Sequence, residues 1–121
     1  MENNKFSLVL GETSELLPLD LGISIEVIVF NDQIEFDNKF QERFYLKFSN
    51  ITSVKFEKIR NKLWIHFVAK NGIINLYGNK KNWKTATARK LIEKLNEVTP
   101  IKHMKEYDKY VSCFLCFRFK N

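Results

Sequence analysis

Cysteine, glycine, proline and histidine are all scarce in this 121-residue chain, with two, four, two and two copies. Each scarcity removes a class of chemistry. The cysteines form one Cys113-Phe114-Leu115-Cys116 pair, and a zinc ribbon needs a second pair that the sequence lacks. His66 and His103 are the only imidazoles available to complete a metal site, so no metal ligand set and no cofactor is expected. On a strand, residues three apart face opposite ways and the two sulfurs would diverge. Buried reduced thiols are the leading reading, with acylation beside Arg118 and Lys120 as another. Four glycines build little of a phosphate cradle. No Gly-x-x-x-x-Gly-Lys, Gly-x-Gly-x-x-Gly, Gly-x-Ser-x-Gly or His-Glu-x-x-His occurs. Long apolar runs are missing too: no segment reaches the roughly 18 to 20 residues of a membrane-spanning helix. The start Met1-Glu2-Asn3-Asn4-Lys5 has no basic, then apolar, secretory pattern. The expectation is a cytoplasmic protein that is not an enzyme, with peripheral attachment to a membrane as the alternative location.

What the chain does contain is aromatic side chains and charge, unevenly spread. Phenylalanine occurs 11 times, mostly in strand-like stretches, and apolar residues make up 45% of the whole, enough for one domain with a real core. Residues 1–42 carry two bases against nine acids, a net of −7, whereas residues 43–121 carry eighteen bases against five acids, a net of +13. That asymmetry points either to an anionic partner for the basic half or to halves that complement each other.

Alternation of period two predicts seven strands: Phe6–Leu10, Ile23–Phe30, Ile34–Phe36, Phe44–Phe48, Ile51–Ile59, Leu63–Ala69 and Ile73–Tyr77. Asn31-Asp32-Gln33 and Arg60-Asn61 read as turns. Asn71-Gly72 carries the chemistry of a type I′ hairpin, whose two central residues need positive φ. Gly11–Glu15 reads as a turn, and Leu16–Gly22, with Pro18, fits an edge or loop. After Gly78 the rhythm changes. Ala88, Leu91, Ile92, Leu95 and Val98 recur at helical spacing, Asn82 offers an N-cap, and Thr99-Pro100 ends the run. The tail, 101–121, suits helix or strand equally and is too apolar to stay in water.

Phe48-Ser49-Asn50-Ile51-Thr52-Ser53-Val54, followed by two strands around Asn71-Gly72 and a final helix, resembles the bacterial pleckstrin-homology-like domains, where a similar Ile-x-x-Val stretch follows an apolar strand. The likeness spans Ile23–Val98. It implies an α+β fold: about seven mostly antiparallel strands in a barrel or two near-orthogonal sheets, capped by one C-terminal helix. Residues 1–100 would form the domain and 101–121 an extension packed on it or on a partner. The region matching the family's basic phosphoinositide pattern, Gly11–Asp20, holds Glu12, Glu15 and Asp20 and no base. Trp83 stands at the helix start, where many relatives carry a tryptophan deep in the helix.

Function follows from surfaces. The first expectation is an adaptor that recognises a protein partner, through an exposed sheet edge or through the tail residues Tyr107, Tyr110, Val111, Phe114 and Phe117, which could also join two copies into a homodimer. The alternative is contact with anionic lipid or nucleic acid through Arg60, Lys62, Lys80, Lys81 and Lys84, with Trp83 or Tyr77 as an aromatic plane. Against it stands an ordinary solvated rim. His66, on the Trp64/Val68 face, shows no orienting partner in the sequence and reads as a packed or surface histidine.

Overall fold

The computed structural model describes residues 4–11, 23–38 and 41–119, the side chains of 41, 42 and 112–119 apart. Among these residues eight strands form one sheet: β1 (Lys5–Leu10), β2 (Ser24–Val29), β3 (Gln33–Asn38), β4 (Gln41–Lys47), β5 (Ile51–Ile59), β6 (Lys62–Ala69), β7 (Gly72–Gly78) and β8 (Ile101–Lys102). Their order is β4-β3-β2-β1-β7-β6-β5-β8. The described pairings are antiparallel except β5 with β8, which is parallel. The fold is therefore α+β and mostly antiparallel. It differs from the expected barrel or two sheets in being one ladder, with no strand pair closing β4 onto β5 or β8 among the described residues. Leu16–Gly22 and most of the Gly11–Glu15 turn lie outside those residues.

The described residues also form three α-helices after β7: α1 (Lys80–Trp83), α2 (Ala86–Val98) and α3 (Met104–Phe119). They lie on the inner face of the sheet, which carries Phe6, Leu8 and Leu10, then Ile25, Val27 and Val29, then Leu63, Ile65 and Phe67, all buried. Alternation thus puts every second side chain of each strand into one core. Trp83 sits at its centre with no exposed surface. Its ring lies 5.8 Å from Phe6, 5.5 Å from Phe56 and 6.0 Å from Tyr107, and its Nε1–H donates to the Leu63 carbonyl at 3.0 Å. Burying an indole requires such an acceptor.

The single helix expected over Asn82–Val98 is two. Asn79 caps α1, its side chain accepting from Asn82 N–H at 3.0 Å while Asn82 Oδ1 accepts from Asn79 N–H at 2.9 Å. Asn82 is the third residue of that capping box and not the cap. Thr85 caps α2, its Oγ1 accepting from Ala88 N–H at 3.1 Å. Ala88, Leu91, Ile92 and Leu95 face the core as the spacing predicts, but Val98, in the last turn, is 47% exposed. The hairpin turn is also displaced by one residue. Ala69 pairs with Gly72, so Lys70-Asn71 form the loop, and neither has positive φ; only Gly72 does, at 152°.

The Ile-x-x-Val spacing has a physical cause. On a regular strand Ile51 and Val54 would point to opposite faces, yet both are buried. The register shifts between Ile51 and Ser53, a bulge that absorbs one residue and restores the inward alternation. The tail is helical. Tyr107, Tyr110 and Val111 are buried in the same core as the sheet, with Tyr107 stacked on Phe56 at 5.1 Å.

Candidate functional site

The bulge fixes what lies on the outer face of β5, β6 and β7. Past it, three rows of side chains cross the strands: Ser53, Val68 and Ile73; Lys55, His66 and Asn75; Glu57, Trp64 and Tyr77. Lys102 on β8 adds to the middle row, in register with Lys55. The first two rows, Phe67 and Lys102 line a half-open groove of about 320 Å³. That is at the lower end of the usual range for small-molecule sites.

His66 has the partners that the sequence did not reveal. Its Nδ1 lies 2.8 Å from Asn75 Oδ1, directly across on β7, and its Nε2 lies 3.0 Å from Glu57 Oε1, one step diagonally on β5. The ring stacks on Trp64 at 5.9 Å, and Trp64 in turn lies 4.6 Å from Tyr77. Both ring nitrogens are occupied, so this arrangement holds the imidazole in place and presents no free lone pair to a substrate. Gly11 packs close to Trp64; a Cβ there would stand 2.1 Å from the indole.

The outer face of β2–β4 is built differently. Arg43 Nη1 donates to Glu35 at 2.9 Å, and Nη2 approaches Asp37 at 3.4 Å. The hydrogen bond to Glu35, helped by the charge of Asp37, holds the guanidinium above its ordinary value. Glu35, only 8% exposed, also accepts from Gln33 Nε2 at 2.8 Å. At the flank, β4 pairs with β3 alone among the described residues. Phe48 N–H donates to the Asp32 carbonyl at 3.1 Å, and this pair extends the β3–β4 register. Hydrogen-bonded pairs alternate along such a ladder, so Leu46 and Phe44 turn their N–H groups toward β3, and Tyr45 and Lys47 turn theirs to the open flank. Tyr45 is 60% exposed, the most of any large apolar side chain among the described residues.

The expected basic set is partly brought together. Arg60, at φ 58°, and exposed Lys62 flank the β5–β6 turn, and Lys80, Lys81 and Lys84 lie exposed on or next to α1. Tyr110 joins the two groups: its hydroxyl donates to the Asn61 carbonyl, and Lys80 Nζ stands 5.8 Å over its ring. Lys62 Nζ stands 5.9 Å over Tyr77. Trp83 offers no plane to a ligand, because the core encloses it. Of the expected tail contacts, Tyr107, Tyr110 and Val111 pack within their own chain, while the side chains of Phe114 and Phe117 lie outside the described residues.

Cys113 and Cys116 fall on the helical backbone of α3 and not on a strand; their side chains are likewise outside the described residues. Among the described residues no group of three or more His, Cys, Asp or Glu could hold a metal ion, and no helix is long and apolar enough to cross a membrane. Compared with known proteins, the chain matches no family model and no curated sequence.

Proposed function

We propose that this chain is a non-catalytic binding module of pleckstrin-homology-like layout that recognises a protein partner by adding a strand to the edge of β4. The layout is supported by the element order: a four-stranded meander, a three-stranded meander joined to it through β1 and β7, and helices after β7 covering the inner face. The single observation that carries the binding mode is Tyr45, whose N–H faces a flank that is unpaired among the described residues and whose ring is the most exposed large apolar group described. Main-chain bonds along such an edge supply affinity, and alternate side chains supply specificity. An exposed tyrosine at the edge is a suitable anchor, being rigid, amphipathic and frequent among interface hot spots.

Tyr45→Pro tests this. The substitution deletes an outward N–H and keeps the bonds to β3, so the fold should persist while strand addition is blocked. A partner recovered from the source cell, purified and titrated by calorimetry, should lose at least about tenfold in affinity for the variant, roughly one outward hydrogen bond and its neighbour. Full affinity for a well-folded Tyr45→Pro protein sinks the edge reading.

A second reading, attachment to anionic lipid or nucleic acid, draws on the link through Tyr110 between the Arg60–Lys62 turn and Lys80. Phosphate-driven binding should weaken steeply from about 50 to 200 mM salt, whereas an edge interaction should barely respond. If Lys80→Glu/Lys81→Glu binds anionic liposomes and oligonucleotides as the unaltered chain does, or if the unaltered chain binds neither, this second reading is lost.

A further inference from the structure

We propose that the groove on the outer face of β5–β7 is a binding site for a small organic anion: a carboxylate or phosphate group carried on a short apolar body. The site is distinct from the β4 edge and from the Arg60/Lys80 patch, and does not depend on either reading above. Its first support is a pair of like charges held side by side. Lys55 and Lys102 occupy opposed positions in the parallel β5–β8 register, and both line the groove. Like charges directly opposite on neighbouring strands repel. Neither lysine forms an ion pair among the described residues. The nearest carboxylate along β5, Glu57, is taken by His66 Nε2 at 3.0 Å. An anion seated between the two ammonium groups would remove the repulsion and satisfy both.

The second support is how the chain delivers these groups. The bulge between Ile51 and Ser53 sets the parity that turns Ser53 and Lys55 outward, beside Val68 and His66. Without it, Ser53 and Lys55 would face the core. At the other wall, β8 is only two residues long, and the next residue, His103, has φ 60°, a left-handed geometry uncommon outside glycine. That turn lets the chain pair briefly with β5 before entering α3. Local irregularities of this kind collect where a side chain must be re-aimed.

The third support is the lining itself, which divides into a polar and an apolar part. Ser53, Lys55 and Lys102 supply donors at one side, with His66 and Asn75 held to each other beside them. Val68, which is 40% exposed, and Ile73 form an apolar wall. A bare ion would use only the first part. A head group with a short hydrocarbon or ring attached would use both, and a volume of about 320 Å³ admits one.

The test is an amide-resolved NMR titration of the full chain with hexanoate, hexyl phosphate and inorganic phosphate. Saturable shifts at Lys55, His66, Val68, Ile73 and Lys102 are expected with the two hexyl compounds, and whichever binds more tightly identifies the head group. Inorganic phosphate should bind more weakly. Lys55→Gln/Lys102→Gln, whose spectrum also reports that the fold is intact, should weaken the tighter ligand at least about tenfold, while Lys80→Gln/Lys81→Gln should change nothing. Single Lys102→Gln, at an exposed position, serves if the double variant does not fold. Shifts that never saturate, shifts gathered on 80–84, or undiminished affinity in the groove variants overturn the proposal. Equal affinity for inorganic phosphate and hexyl phosphate overturns its apolar half.

Discussion

The outer surfaces of β2–β4 and of β5–β7 have the same pleated geometry but treat charge in opposite ways. On β2–β4 one arginine reaches two carboxylates, and the nearly buried Glu35 receives donors from both Arg43 and Gln33. The guanidinium there is shared between two carboxylates of the fold. On β5–β7 the one carboxylate of the three rows is bound to His66, and two lysines in register remain without an ion pair among the described residues. A ligand is better suited to the second surface than to the first. A charge satisfied by its neighbours holds structure together, whereas charges set side by side without partners favour something from outside.

The largest effect would break both regions at once. Trp83 touches Phe6 of β1 and Phe56 of β5, so it belongs to the core beneath each half. Trp83→Ala should cost about 3–5 kcal/mol, read as a lower urea midpoint in one cooperative transition. Two separate transitions would mean that the halves are independently stable. Gly11→Val acts on one side only. Its side chain would meet the Trp64 ring at 2.1 Å and must push it from Tyr77 and His66, at about 1–3 kcal/mol. Amide shifts should spread over β6 and β7 and spare β3 and β4. Arg43→Ala is the mirror experiment, leaving Glu35 with Gln33 alone; its melting temperature should fall by less than that of Gly11→Val, with no change in the groove. The smallest effect is alkaline. Burial resists the phenolate at Tyr107 and Tyr110 and raises both above the ordinary value of 10.0. Below about pH 10 both folded and unfolded chains keep the proton and stability is full. Above it the unfolded chain ionises first, so stability should decline as pH rises through the raised folded values. Tyr107→Phe should flatten that decline in urea titrations across this window.

Much of this was readable from residues alone, within a limit set by register. Ile51–Ile59 was bounded correctly by alternation, and Ala88, Leu91, Ile92 and Leu95 by helical spacing. Local chemistry misled where two candidates stood close together. Asn79, Asn82 and Thr85 can all cap a helix, and only packing decides that Trp83 turns inward between them. Asn71-Gly72 has the stronger turn signal, but the inward alternation of Phe67, Ala69 and Ile74 fixes the loop one residue earlier. The His66 site was hidden for a related reason. Glu57 and Asn75 are nine residues from His66 on either side, and only the strand register unites them. Since Ile59 pairs with Lys62 around the Arg60-Asn61 turn, the Glu57 contact was in principle countable from that turn. Lys102 was not, because β8 returns to β5 only after four intervening elements, β6, β7, α1 and α2.

The two tryptophans make the molecule its own optical instrument. Trp83 has no exposed surface and sits among Phe56, Phe6 and Tyr107, so its emission should follow the integrity of the interior. Trp64 lies half-exposed against His66, a wall of the groove, so its emission should follow what enters there. With either indole replaced by phenylalanine, the remaining one separates unfolding from occupancy in a single cuvette, without any added dye.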